Sequence, residues 1–268
     1  MKEILLGAAG AYLAAILPRL GHHPKELAVR YYAHRGLHDL QQGVPENSLP
    51  AFKRAVEAGF GIELDVQMTK DGQVVVFHDF DLKRAAGVDR QIDSYTYEEL
   101  QSVPLFASRE KVPLFSEVLS LVNGQVPLIV EIKYKNITAG VCEAVQKLLK
   151  NYPGPYCIES FHPQALMWFR RYAPQVTRGQ LAMRPRDMEK GRKPQYAVAE
   201  HLLLNWATKP DFIAYDIRGR YSLSKNLCRK LYGCPSIAWT VQTKKELEEV
   251  RRYYDYFIFE GFYPEVSG

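Results

Sequence analysis

Residues 61–79 read GIELDVQMTKDGQVVVFHD, two extended runs on either side of an Asp-Gly pair. An Asp-Gly dipeptide between runs rich in β-branched residues is a strong signal for a β-hairpin. If Asp71 and Gly72 form a two-residue turn, the register that follows places Asp65 opposite His78. The sequence therefore predicts a hairpin that brings a carboxylate and an imidazole together across its ladder.

The first run of this hairpin carries two carboxylates on one face. Side chains alternate along a strand, so Glu63 and Asp65 point the same way while the aliphatic residues between them pack behind. Two like charges on an apolar strand resist burial unless a cation offsets them. Oxygen ligands favour a hard divalent ion such as magnesium, calcium or manganese. The pattern indicates a metal site or, alternatively, an edge strand whose acidic face meets water.

The composition is that of an ordinary globular protein of 268 residues with a formal net charge of +5. This length suits one large domain, and α/β barrels commonly reach it as a single unit. The modest positive charge suits a phosphate or an anionic lipid surface, whereas nucleic-acid binders carry denser basic patches, so no nucleic-acid partner is expected. The four cysteines show neither a CxxC spacing nor a paired framework and are expected to be reduced.

The amino-terminal segment, residues 1–25, contains an uncharged run from Ile4 to Leu17. Its roughly 14 residues fall short of the about 20 that span a bilayer as a helix. We expect a membrane surface contact through residues 4–17 or a helix packed on the domain. A signal peptide is less favoured, because Glu3 lies in the charged region and no small-x-small site follows. The protein is therefore expected to be membrane-associated or cytoplasmic.

Residues 26–268 alternate between strand and helix patterns. A first strand ends at His34, a helix follows, and the hairpin strand comes next, which is the opening βαβ unit of a parallel sheet. A polar stretch at about residues 80–113 interrupts the alternation, which then continues to the end of the chain. About eight β/α units result. They predict an α/β fold, a closed (β/α)8 TIM-type barrel, with a small insertion after the His78 strand.

Enzymes with this fold place their functional residues at the carboxyl ends of the strands. Several polar side chains and one Trp lie at such positions here: His34, Arg35, Glu63, Asp65, His78, Glu131, Lys133 and Trp239. Three carboxylates can hold one hard cation, an Arg and a Lys can bind an anion, and two histidines can exchange protons near neutral pH. This combination is typical of phosphoryl-ester cleavage, which needs charge offset on the phosphate and a proton for the leaving alkoxide.

The same residues lie in a series of motifs that resembles the glycerophosphodiester phosphodiesterase family. The motifs are His34-Arg35-Gly36, residues 45–52 (PENSLPAF), Glu63-Leu64-Asp65-Val66, Thr69-Lys70-Asp71-Gly72, His78-Asp79, Glu131-Ile132-Lys133, Ser160-Phe161 and Trp239-Thr240-Val241. They span nearly everything from Tyr32 to Pro264. The resemblance implies a phospholipase-C-like phosphodiesterase barrel that hydrolyses glycerophosphodiesters, with a divalent cation, to an alcohol and sn-glycerol 3-phosphate.

Carried over residue by residue, the resemblance makes His34 and His78 the acid–base pair. The ligands of one divalent cation, Mg²⁺ or Ca²⁺, would be Glu63, Asp65 and Glu131. Phosphate or substrate contacts would come from Arg35, Lys133, Glu46 near the metal, and Trp239 on the glycerol side or as barrel filler. Attack by the neighbouring glycerol hydroxyl, which gives a cyclic phosphate, and direct attack by water both remain open.

The chain departs from the family pattern in three places. Glu260 follows the last strand where Thr-Asp is usual, Lys83-Arg84-Ala85-Ala86 replaces Arg-Thr-Thr, and the insertion is short. Two other functions are therefore kept. One is lysophospholipase D-like cleavage of lysophospholipids, which the apolar amino terminus and a basic loop at residues 183–195 favour. The other is a non-catalytic barrel that binds phosphorylated headgroups, against which the intact histidine pair argues.

Overall fold

A computed structural model describes residues 2–133, 140–184 and 194–265. Most of the basic loop predicted at residues 183–195 lies outside them. The helices and strands follow in this order: α1 (Lys2–Ala15), β1 (Tyr31–His34), α2 (Leu49–Glu57), β2 (Gly61–Met68), β3 (Val74–Val76), β4 (Asp81–Leu82), α3 (Lys83–Ala86), β5 (Val88–Gln91), α4 (Tyr97–Leu100), α5 (Phe115–Val122), β6 (Leu128–Ile132), α6 (Gly140–Leu149), β7 (Tyr156–Ser160), α7 (Pro163–Tyr172), β8 (Arg178–Ala182), α8 (Pro194–Glu200), α9 (Asn205–Thr208), β9 (Phe212–Asp216), α10 (Leu223–Tyr232), β10 (Ser236–Val241), α11 (Lys244–Val250) and β11 (Tyr256–Phe259).

The main sheet closes on itself. Its nine strands run in the order β1-β11-β10-β9-β8-β7-β6-β2-β3, and an additional pairing of β1 with β2 closes the ring. All pairs within the ring are parallel, whereas β3 pairs antiparallel with β2 outside it. Helices connect most of the successive ring strands. The predicted (β/α)8 barrel is confirmed.

Alternate residues of each strand face the helices or the barrel interior. On β2, Ile62, Leu64 and Val66 point outwards and join the main core between sheet and helices. Glu63 and Asp65 point inwards and are only 3% and 1% exposed. The shared face predicted for the two carboxylates is thus confirmed, and the alternative of a water-exposed acidic edge is wrong.

The lower part of the barrel interior is an apolar layer that includes Tyr32 and Phe212. Two glycines make room for these rings: a Cβ on Gly61 would lie 2.4 Å from Tyr32, and one on Gly179 would lie 2.0 Å from Phe212. Because this layer fills the barrel, the polar residues further along the strands lie above a closed floor.

The register of the β2–β3 hairpin differs by one residue from the prediction. The N–H of Phe77 donates to the carbonyl of Asp65 at 2.9 Å, so Asp65 lies opposite Phe77 and the predicted pairing with His78 is wrong. The turn contains one residue more than predicted because Gly72, at a φ of +79°, adopts the left-handed conformation that such a longer turn requires.

The insertion after β3 folds over one side of the barrel mouth. It contains the two-stranded sheet β4–β5 and the single-turn helices α3 and α4. A separate apolar cluster, which includes Phe77, Leu82, Ile92 and Leu105, lies beneath it. The insertion therefore has a small core of its own, which gives its residues a fixed position relative to the site.

Helix α1 is docked at one end and exposed at the other. Ile16, just after the helix, is fully buried, and its carbonyl accepts from Asn205 Nδ2 at 3.1 Å. Tyr232 donates its hydroxyl to the carbonyl of Leu13 at 3.0 Å. The first turns instead expose large apolar side chains: Ile4, Leu5 and Leu6. In the described ranges, no helix is long and apolar enough to cross a bilayer.

Candidate active site

Three buried carboxylates form the centre of the site. β2 and β6 are neighbours in the ring, and Asp65 pairs in register with Glu131, so both side chains enter the barrel at the same height. With Glu63 they form a cluster whose ligand oxygens lie within 4.8 Å of one another. The cluster could hold a metal ion, and its all-oxygen donor set suits a hard divalent cation.

The charges of this cluster are incompletely compensated by the protein. Burial raises the pKa of Glu63 well above its usual range, and the carboxylate of Asp65 raises it further. The pKa of Glu131 is also raised, chiefly by burial. Asp65 behaves differently: burial opposes its ionisation, but the charges of Lys133 and its other neighbours, together with a hydrogen bond from Asn47, hold its pKa well below the usual range. A bound cation would stabilise the ionised forms of Glu63 and Glu131, so the residues present fit such an ion.

Two cations border the carboxylates. Lys133 Nζ lies 3.0 Å from Asp65 Oδ1 and 2.9 Å from Glu131 Oε1. Arg35 donates its backbone N–H to Glu63 Oε2 at 3.1 Å, and its Nε lies 3.4 Å from Asp65 Oδ2. Both cations thus lie beside the carboxylate cluster, where an anion that bridges to a bound metal would also meet them.

The carboxylate of Glu46 is hydrogen-bonded to two arginines. It accepts from Arg35 Nη1 at 2.6 Å and from Arg84, in the insertion, at 2.7 and 2.9 Å. Burial opposes ionisation, but the hydrogen bonds and charges of the two arginines lower the pKa of Glu46 to about 2. Glu46 therefore stays ionised and fixes the Arg35 side chain beside the cluster.

His34, at the end of β1, is hydrogen-bonded to the residue after the last strand. Its Nδ1 lies 2.6 Å from Glu260 Oε2, and its Nε2 lies 3.9 Å from Glu63 Oε2. Burial, reinforced by the charge of Arg35, lowers the pKa of His34 to about 4 although Glu260 opposes this. Hydrogen bonds from His34 and its neighbours outweigh burial and hold the pKa of Glu260 far below its usual range. An ionised Glu260 accepts a hydrogen bond from Nδ1–H of a neutral His34, which leaves Nε2 free to accept a proton.

His78 has a carboxylate partner of its own. Its Nδ1 lies 2.6 Å from Oδ1 of the adjacent Asp79, and Arg84 Nε donates to the other oxygen of Asp79 at 2.6 Å. These contacts and the histidine itself outweigh burial and hold the pKa of Asp79 well below its usual range. Arg84 thus connects Asp79, the partner of His78, to Glu46, the partner of Arg35.

These side chains meet in one small pocket of about 50 Å³ at the carboxyl end of the barrel. Its apolar wall includes Phe161 and Trp239, whose rings pack edge to face with centroids 5.5 Å apart. Among the described residues, the lining consists of His34, Arg35, Glu63, His78, Glu131, Lys133, Glu159, Phe161, Leu181, Trp239 and Ile258. Of the nine residues predicted for the site, Asp65 and Glu46 are absent from this lining and support it from behind.

Sequence reasoning missed two carboxylates at the site, Glu159 and Glu260. Glu159 ends a Cys-Ile-Glu-Ser strand with the same alternation of charged and aliphatic residues that marked Glu131, so that signal could have found it. Glu260 was noted only as a departure from the family pattern. It became visible as a histidine partner only when closure of the barrel placed β11 beside β1.

The fold and the site define an α/β barrel with a small pocket, lined by carboxylates and cationic side chains, at the carboxyl ends of its strands. The family model described as "Glycerophosphoryl diester phosphodiesterase family" matches residues 34–256. Because this match covers most of the chain, the protein belongs to the glycerophosphoryl diester phosphodiesterase family.

Individual relatives agree with this assignment. A glycerophosphodiester phosphodiesterase of Bacillus altitudinis is 33% identical over 166 residues, which cover 58% of this chain and 66% of that protein. The chain thus spans just under two thirds of this relative. The solved glycerophosphodiester phosphodiesterase of Thermotoga maritima has a TM-score of 0.67 at 26% identity, over 89% of this chain and 95% of that one. A phosphodiesterase of Oleispira antarctica, solved with its product sn-glycerol-3-phosphate, shares the fold with a TM-score of 0.70 at 21% identity, over 87% of this chain and 92% of that one.

Proposed function

We propose that this protein hydrolyses glycerophosphodiesters to an alcohol and sn-glycerol 3-phosphate with the help of one divalent cation, Mg²⁺ or Ca²⁺. The observation that carries the proposal is the cluster of three buried carboxylates with Lys133, Arg35 and two histidines around one pocket. Membership of the family supports it, as does the name of the Bacillus altitudinis relative.

The two histidines, His34 and His78, supply acid and base. In each ring Nδ1 faces a carboxylate at 2.6 Å, so Nε2 is the nitrogen available for proton exchange. One histidine, unprotonated, takes the proton of the attacking group, either the neighbouring glycerol hydroxyl or water, and the other, protonated, gives its proton to the leaving alcohol. If the glycerol hydroxyl attacks, water then opens the resulting cyclic phosphate with the two roles exchanged. The fixed Nδ1 partners keep both rings oriented through this exchange.

Charge offset on the phosphate comes from the cationic side chains and the ion. Arg35 and Lys133 contact the phosphate oxygens, and Glu46 holds Arg35 in place. A divalent cation at Glu63, Asp65 and Glu131 would neutralise charge that develops on the non-bridging oxygens. The floor of apolar side chains keeps bulk water away from the buried side of the pocket, where these interactions are strongest.

The decisive experiment measures release of sn-glycerol 3-phosphate from glycerophosphocholine and glycerophosphoethanolamine by the full chain. We expect turnover with magnesium or calcium, loss of turnover in chelator, and a loss of at least about 10²-fold in Glu131→Gln. Glu248→Gln, an exposed surface carboxylate whose side chain is 64% exposed, is the matched control.

Lysophosphatidylcholine is included as a second substrate in the same assay. Cleavage of this lipid in place of the deacylated compounds would identify lysophospholipase D-like activity. No release from any substrate with any ion, by a sample shown to be folded, would contradict the proposal and leave headgroup binding as the function.

Helix α1 supports a further part of the proposal, contact with a membrane surface through residues 4–17. The side chains of Ile4, Leu5 and Leu6 are 76%, 69% and 73% exposed, while the other end of the helix is docked on the barrel. Burial of such exposed apolar side chains in the interfacial region of a bilayer lowers the free energy. Sedimentation with lipid vesicles tests this: Leu5→Glu should reduce the bound fraction, and equal binding by the variant would contradict the contact.

A further inference from the structure

Glu159 is a buried carboxylate to which the proposed reaction assigns no role. It lies on β7 in register with Glu131 of β6, so its side chain enters the barrel at the height of the site. It is 1% exposed. Within the described part of the chain its Oε2 has no hydrogen-bond partner, and Glu159 stands outside the three-carboxylate cluster.

A second unpartnered polar atom belongs to another residue that lines the same pocket. Trp239 Nε1 is buried and, among the described residues, has no hydrogen-bond partner. Its ring packs against Phe161, which follows Glu159 by two residues and lies just beyond the end of β7. Trp239, Phe161 and Glu159 all line the pocket. Buried polar groups are nearly always hydrogen-bonded in proteins, so an acceptor and a donor without partners beside one pocket indicate a ligand that satisfies both.

A hydroxyl group matches this pair, because it donates one hydrogen bond and accepts others. The carboxylate oxygen of Glu159 can accept from the hydroxyl while the indole N–H of Trp239 donates to it. The apolar neighbours Phe161, Leu181 and Ile258 suit the carbon atoms that carry such a hydroxyl. The arrangement thus fits the end of a short polyol and offers no partner to an ester-linked acyl chain at the same place.

We propose that Glu159, together with Trp239, binds the terminal hydroxyl of the glycerol group, the one furthest from the phosphate. This inference rests on the proposed function and deepens it, since it makes Glu159 a specificity-determining residue. A substrate acylated at that hydroxyl loses the hydrogen bond to Glu159 and meets an unpaired buried carboxylate. The protein should therefore prefer fully deacylated glycerophosphodiesters.

The test compares glycerophosphocholine with the phosphocholine diester of propane-1,2-diol, which lacks only the terminal hydroxyl. We expect the wild type to prefer glycerophosphocholine by about ten- to hundredfold in kcat/KM, because a polar site left unpaired discriminates strongly. In Glu159→Leu this ratio should fall towards one, mostly through KM. In Glu159→Gln, which keeps an acceptor oxygen, much of the preference should return.

Two binding measurements by calorimetry separate this role from others. Magnesium should bind wild type and Glu159→Gln with equal affinity; a loss of about tenfold or more would overturn the proposal by assigning Glu159 to the ion. An equal loss on both diesters in Glu159→Leu, in a sample that unfolds cooperatively, would overturn it as well. If the wild type releases no sn-glycerol 3-phosphate, the proposed reaction is wrong. The hydroxyl subsite is then still tested by comparing the affinity of the wild type for sn-glycerol 3-phosphate with its affinity for propane-1,2-diol 1-phosphate, and equal affinities would overturn it.

Discussion

Each of the two histidines of the site has a carboxylate partner, but the two partners come from different parts of the chain. Each has a carboxylate 2.6 Å from Nδ1. The partner of His34 is Glu260, which lies 226 residues away and arrives only with the last strand. The partner of His78 is the adjacent Asp79. One pair is made by closure of the barrel and the other by the local chain.

Their environments differ as well. The His34 side chain is 15% exposed, and its partner is further bonded to Gln242 Nε2 at 2.6 Å. The His78 side chain is 32% exposed, and Arg84 of the insertion holds its partner. Electrostatic interactions are stronger where water is excluded, so the less exposed His34 should depend more on its carboxylate than His78 does. Closure of the barrel therefore controls His34, and the insertion controls His78.

The largest expected effect comes from removing either imidazole. His34→Asn and His78→Asn should each lower kcat on glycerophosphocholine by about 10²–10⁴-fold, because each removes one positioned acid or base. His201→Asn, at an exposed position, is the matched control and should leave kcat unchanged. If either site variant retained more than about a tenth of wild-type kcat, the comparison would break, since that histidine would not exchange the proton.

The next effect comes from neutralising the two partners. Glu260→Gln should lower kcat by about 10²-fold and Asp79→Asn by about tenfold, because the amides keep the shape but lose the charge that stabilises an imidazolium, and that charge acts more strongly on the less exposed His34. KM should change little in both. Steady-state kinetics over a range of pH measures this. Equal losses would show that burial does not distinguish the pairs.

A smaller effect should appear in stability against pH. The pKa of His34 is lowered to about 4 in the folded protein, so between pH 6.5 and 4 the unfolded chain binds more protons. Above pH 6.5, His34 is neutral in the folded and the unfolded protein, and the free energy of unfolding has its full value. As the pH falls below 6.5, protonation of the unfolded chain lowers the free energy of unfolding, by about 2 kcal/mol at pH 5.

Urea unfolding in chelator at pH 7 and pH 5 measures this contribution. The advantage of the wild type over His34→Asn should shrink by about that amount between the two values. A constant difference between wild type and His34→Asn would show that burial does not disfavour the imidazolium at position 34.

The sequence was most informative where hydrophobic periodicity is strong. The first strand, predicted to end at His34, ends there in the structure, and the predicted alternation of strands and helices closes into the barrel. The hairpin register was wrong by one residue, because the Asp-Gly signal does not distinguish a two-residue turn from a longer one in which Gly72 takes a positive φ. Turn geometry is set by pairing of the whole ladder, which local sequence does not fix.

For the site, the sequence identified residues by position at strand ends, and the structure brings them around one pocket. Among the residues that it missed are the hydrogen-bond partners of predicted site residues. Arg84 lies in an irregular insertion and contacts Glu46, 38 residues earlier. Glu260 reaches His34 only because β11 lies beside β1. Such pairs depend on which strands are neighbours and on how an insertion folds back, and no spacing along the chain encodes either.

The sequence by itself determined the alternation that builds the barrel and the inward face of Glu63 and Asp65, because both follow from residue periodicities of local structure. Only the tertiary structure decided which carboxylates are partnered and which are not. It paired Glu260 with His34, shared Glu46 between two arginines and, within the described part of the chain, left one oxygen of Glu159 beside the pocket without a hydrogen-bond partner. The reason is that burial and hydrogen-bond pairing are properties of surfaces brought together by folding, and a strand pattern specifies only its own face.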